Sequence, residues 1–77
     1  MLFDDLNPKI PLIHLVGQEK LKILNYVKVL KYEQTQIIVL LIQKKIYVKG
    51  NHLNIEYFNE DELYIHGNIQ SIVFQSS

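Results

Sequence analysis

Apolar residues recur at every second position along most of the chain, in short runs broken by polar or glycine-containing steps. Ile46-Tyr47-Val48 alternates and stops at Gly50-Asn51. Leu53, Ile55 and Tyr57 share a period of two around Asn54 and Glu56, and Leu63 and Ile65 do the same before Gly67-Asn68. Side chains leave a strand on alternate faces, so this pattern of β-branched and aromatic residues is what half-buried strands require. It predicts eight short, mostly antiparallel strands near residues 9–16, 19–25, 27–32, 36–42, 45–49, 52–58, 62–66 and 69–75. The expected architecture is an all-β single domain, a small sandwich or rolled sheet, with a short β-solenoid-like stack as the alternative. Ile37 to Ile42 is the longest purely apolar run, and it is expected to be a central strand covered on both faces.

Three local features refine this reading. Gly17, Gly50 and Gly67 each follow an alternating run, and Gly and Asn both tolerate positive φ, so all three are read as turn glycines. A weak repeat matches Ile46-Tyr47-Val48-Lys49-Gly50-Asn51 to Leu63-Tyr64-Ile65-His66-Gly67-Asn68, seventeen residues on, and reads as two similar hairpins in one sheet. In the last strand Ile72 and Phe74 share a face while Ile69 is out of phase. One extra residue near Gln70-Ser71, a β-bulge, would restore the register. The segment Glu19 to Tyr32 is ambiguous. Leu21, Leu24, Val27 and Leu30 fit one face of a helix, whereas Leu21/Ile23 and Val27/Val29 fit two strands around a turn at Asn25-Tyr26.

Composition narrows the function classes. Seventy-seven residues allow one small, marginally stable core, and the absence of cysteine removes disulfides, thiolate metal sites and thiol nucleophiles. The net charge is zero and the eight cationic residues are all Lys, which argues against nucleic acid, whose phosphates and guanine edges favour a basic excess and Arg. No apolar run approaches the roughly 20 residues of a membrane-crossing helix, and the acidic start Met1 to Asp5 is unlike a signal peptide.

From Pro8 to Phe74 the sequence resembles the YabP/YqfC family of bacterial sporulation proteins. The resemblance rests on Pro8-Lys9-Ile10 leading to Gly17, on Ile23-Leu24-Asn25, on Val29-Leu30-Lys31-Tyr32 and on the stretch Ile46 to Ile55. It ends on Ile65-His66-Gly67-Asn68-Ile69-Gln70-Ser71-Ile72-Val73-Phe74. The chain departs from the family pattern at Leu24 and Tyr26, where an acidic residue and a His flank the Asn, and at Lys28, where a Gly is expected. Another Gly, between the central strands, is missing around Gln43-Lys44-Lys45. The resemblance implies an all-β domain over 8–75, between a flexible segment 1–7 and a tail 76–77, and settles Glu19 to Tyr32 as strands. It also implies a non-enzymatic interaction or assembly role in endospore formation. The expected location is cytoplasmic, on the mother-cell side, with a membrane-protein partner.

The chemistry-bearing residues are sparse. His14, His52 and His66 lack the short spacings of a zinc site and are read as structural. Ser71, Ser76 and Ser77 have no motif of an activated nucleophile around them, and the isolated glycines form no phosphate loop. No catalytic residue, metal or cofactor is expected. Tyr47 and Tyr64 occupy equivalent repeat positions on the polar side of their strands, and with Asn25 and Tyr26 they form the candidate interaction surface. The other reading of these aromatics is a small β-barrel that binds a ligand or nucleic acid. Seven lysines from Lys20 to Lys49 could meet an anionic surface, a reading opposed by Glu60-Asp61-Glu62 unless that cluster faces away. Apolar positions exceed what so small a core can bury, and open strand edges would remain, so the chain is expected to form a homo-oligomer.

Overall fold

The computed structural model describes residues 10–76. Six strands make one antiparallel sheet: β1 (Leu12–Val16), β2 (Lys20–Leu24), β3 (Lys28–Tyr32), β4 (Gln36–Leu41), β5 (Lys44–Phe58) and β6 (Glu62–Ser76). Their spatial order is β1-β2-β6-β5-β4-β3, and the sheet does not close. The all-β expectation holds, and Glu19 to Tyr32 is indeed two strands around Asn25, which takes φ 62°. An open antiparallel sheet is neither the barrel nor the solenoid stack considered from the sequence. The expected flexible segment 1–7, the start of the first strand and Ser77 lie outside the described residues, while Ser76 pairs with Lys44.

Two of the expected strand breaks do not occur. The stretches 45–49 and 52–58 fuse into β5, and 62–66 and 69–75 fuse into β6, so eight expected strands become six. Each long strand serves two neighbourhoods. Residues 62–66 of β6 lie between β2 and the second half of β5, and residues 44–49 of β5 lie between β4 and the second half of β6. The sheet therefore has two four-stranded halves: β1-β2-β6-β5 around residues 62–66, and β3-β4-β5-β6 around residues 44–49. Leu21, Ile23, Leu63 and Ile65 of the first half are buried in one cluster with Ile37, Val39, Ile46 and Val48 of the second. Each half has one dry face, and the other half covers it, as in a sandwich.

The bend between the halves is made by two bulges. Lys49 pairs with Ser71 and Gly50 with Ile69, which leaves Gln70 as the extra residue predicted for the last strand. Beyond Asn51↔Asn68 the situation reverses, with His52 and Leu53 facing the single residue Gly67 before Asn54 pairs with His66. Each bulge brings the opposite strand's backbone onto a glycine. A Cβ on Gly67 (φ 147°) would lie 2.6 Å from the His52 carbonyl oxygen, and one on Gly50 would collide with the Asn68 carbonyl. Gly50 and Gly67 are thus mid-strand glycines opposite bulges and not turn glycines. Only Gly17 sits in a turn, between β1 and β2, with φ 58°.

The seventeen-residue repeat has the same origin. Its copies are the first halves of β5 and β6, neighbours in one hairpin, and not two separate hairpins. Their surroundings repeat too: Gly50 N–H donates to the Thr35 carbonyl and Leu53 N–H to that of Gln34, while Gly67 N–H donates to Glu19 and Ile69 N–H to Gln18. The halves are related by an approximate two-fold between Asn51 and Asn68. In β4, Ile37, Val39 and Leu41 are buried while Ile38 and Leu40 are only half-buried. The run Ile37 to Ile42 is flanked by strands on both sides, as a central strand should be, but only one of its faces is covered. Exposed Ile42 lies in the turn with Gln43, whose φ is 65°.

Candidate interaction surface

Facing the core is one fate for a side chain here, and the pleat sends its neighbours to one of two outer faces. On the first half's outer face a cross-strand row runs His14, Lys22, Tyr64, Tyr57. The Lys22 ammonium lies 5.4 Å from the centre of the Tyr64 ring, and Tyr57 meets that ring edge-on at 5.5 Å. Such contacts hold the rings in place. Beside them His14, Val16, Lys20 and Glu56 help line a shallow cleft of about 270 Å³.

On the second half's outer face the corresponding row is Lys31, Ile38, Tyr47, Val73, and the next is Lys28, Leu40, Lys45, Gln75. Lys49 adds a fourth cation beside Ser71. Apolar and aromatic side chains are thus bordered by four lysines, while Glu56 and Glu62 stand among the paired strands of the first half. Lys31 is ion-paired with Glu33 at 3.7 Å, and Lys20 and Lys22 stand beside the acidic residues of the first half. Glu60 and Asp61 lie in the β5–β6 turn and Glu62 opens β6, at the end of the first half, where Asp61 is hydrogen-bonded to the crossover that leads into β3. Tyr47 is fixed by its hydroxyl, which donates to Gln75 Oε1 at 2.8 Å. Val73 is 51% exposed and Phe74 52%.

The four residues singled out from the sequence do not form one surface. Tyr47 and Tyr64 are equivalent under the two-fold and therefore lie on opposite outer faces. Asn25 and Tyr26 tie the crossover from β2 to β3 onto the β5–β6 turn. Asn25 N–H donates to the Asp61 carbonyl at 2.7 Å, its Nδ2 donates to the Ile10 carbonyl at 2.8 Å, and the Tyr26 hydroxyl donates to the Asn59 carbonyl at 2.7 Å. Tyr26 also packs on the core. Both have structural work at that crossover, a role that sequence spacing cannot reveal because their partners on the β5–β6 turn are more than thirty residues away.

Tyr32 was not foreseen. Its hydroxyl accepts the Ile55 N–H at 2.9 Å, so β3 of one half caps a backbone donor on the outer edge of the other. The three histidines lie on β1, at the β5 bulge and on β6. Among the described residues no group of three or more His, Cys, Asp or Glu is placed to hold a metal ion, and no helix is long and apolar enough to cross a membrane.

Among known proteins, the model of the YabP family matches residues 8–77. A search of curated proteins finds no match.

Proposed function

Because the chain belongs to the YabP family and so is sporulation-related, we propose that it is a non-enzymatic interaction domain acting in endospore formation. On this reading it works on the mother-cell side, docked to a membrane-protein partner or to its own copies. The observation that carries it is the distribution of apolar side chains. Among the described residues eleven hydrophobic residues form the buried core, while twelve large ones stay exposed. Scattered apolar residues are normal on any surface. Here several cluster: Val73 and Phe74 are adjacent on the open edge of β6, on alternate faces and next to half-buried Tyr47, and Leu12, Leu15 and Val16 lie within β1. Contiguous apolar surface rimmed by charge suits a protein interface.

The test is genetic and biochemical. Deleting the gene in a spore-forming host should lower the count of heat-resistant spores, and the tagged chain should co-purify with an integral membrane protein or with untagged copies of itself. A normal spore count in a host with no second family member would overturn the sporulation role. Loss of sporulation without either kind of co-purification would overturn the interaction role.

A further inference from the structure

Four strand edges are left without a backbone partner among the described strands: β1, β3, residues 54–58 of β5 and residues 71–76 of β6. An open edge is a template for another strand, and proteins blunt it with Lys, Pro, bulges or a covering group. Three of these edges carry such devices. β3 has Lys28, Lys31 and a bulge at Leu30. The β5 edge has Glu56 in a bulge and its Ile55 N–H capped by Tyr32. β1 is five residues long and follows Pro11. The fourth edge has none. Gln70-Ser71-Ile72-Val73-Phe74-Gln75-Ser76 contains no charge, no Pro and no Gly, and its bulge at Gln70 precedes the paired stretch.

We propose that this edge pairs with the same edge of a second copy, antiparallel about a two-fold axis at Val73. An interface on a two-fold must be self-complementary, and this segment is. Around Val73 it reads polar, polar, apolar, Val, apolar, polar, polar. Antiparallel pairing on that centre sets Ile72 opposite Phe74 and Ser71 opposite Gln75, with every side chain kept on its own face. No charged residue meets another. Lys45 and Lys49, which flank the segment from β5, would be about three strand spacings, roughly 14 Å, from their counterparts. That exceeds the screening length of about 8 Å at physiological salt. Lys44, whose ammonium lies 5.9 Å from the centre of the Phe74 ring, stays on its own copy. The product is an eight-stranded sheet in which the row Ile38, Tyr47, Val73 continues across the axis into Val73, Tyr47 and Ile38 of the second copy. The inference rests on the reading of the chain as an interaction domain and names one partner and one surface for it. Pairing of two short edges buries less than a standard interface, so the association should depend on concentration.

Light scattering on the full chain over a concentration series should show the mass rise from 9.1 kDa toward twice that value, and amides in 71–76 should gain hydrogen-exchange protection over the same range. The chain has no cysteine, so single substitutions report the register cleanly. Val73→Cys should give an intermolecular disulfide under mild oxidation, at least about tenfold faster than Gln75→Cys, whose thiols would be roughly 13 Å apart along the pairing. A constant 9.1 kDa mass into the millimolar range overturns the proposal, whether or not the variants fold, and leaves the spore-count test of function standing. A dimer in which Gln75→Cys cross-links as fast as Val73→Cys, or in which 71–76 gains no protection, overturns it as well.

Discussion

Gly50 and Gly17 are glycines for different reasons, and substitution separates them. Gly17 takes φ 58° in open space, so a Cβ there meets only the left-handed backbone cost, about 1–2 kcal/mol. Gly50 has a bulged strand pressed onto it, and its added Cβ meets backbone that cannot swing away. Gly50→Ala should therefore destabilise by more than Gly17→Ala, by about 2–4 kcal/mol. A domain of this size loses roughly 4–8 °C of melting temperature per kcal/mol. Equal melting temperatures for the two variants would show that the strands can part at the bulge. Gln43 is the converse case, since it holds φ 65° in the β4–β5 turn, where a glycine would carry no left-handed cost. Gln43→Gly removes left-handed strain of about 1–2 kcal/mol and adds unfolded-state entropy worth about 0.5–1 kcal/mol. The expected net is a melting temperature a few degrees higher, and an unchanged or lower value would contradict this account.

Among the elements, the two long strands carry the design, and the register of β6 depends on one residue. With Gln70 in place both Ile69 and Ile72 face the core, although an odd number of positions separates them. Deleting Gln70 would send Val73 inward and Ile72 and Phe74 outward, because a one-residue slip moves every later side chain to the other face. The expected outcome is a loss of several kcal/mol or failure to fold, measured by urea denaturation. Replacing Gln70 by Ser, which keeps the count, should cost under about 0.5 kcal/mol. This bulge was legible from the phase of Ile69, Ile72 and Phe74 alone. The continuity of β5 and β6 was not, since Gly-Asn at the end of an alternating run is the sequence of a turn. Whether it turns the chain or bends a strand depends on the pairing opposite, which lies seventeen residues away. The same limit explains the surface. Tyr47 and Tyr64 were rightly placed outward by the pleat, but the two-fold that puts them on opposite faces is a property of the pairing. The uncharged edge at Gln70 to Ser76 could have been read from its composition.

At the scale of the whole molecule, an approximate two-fold suggests two units, yet neither half can stand alone. Among the described residues the dry face of each half is covered only by the other, and β5 and β6 run through both, so they offer no surface along which the halves separate with their cores intact. Unfolding is therefore expected to be a single cooperative transition. The pairing of Lys20 with His66 in β2 and β6 closes a long stretch of chain, and such non-local contacts slow folding, here to milliseconds or longer. The chain has no Trp, so Tyr47→Trp and Tyr64→Trp each place one fluorophore on an outer face, one per half, where the larger ring has room. In urea, at concentrations below any association, both fluorophores and the far-ultraviolet circular dichroism should share one midpoint, with a slope of about 1 kcal/mol/M. If the Tyr47→Trp signal were lost well before that of Tyr64→Trp, with the dichroism falling in two steps, the second half would be opening by itself. The core would then have to be divided between two units and not shared across the bend.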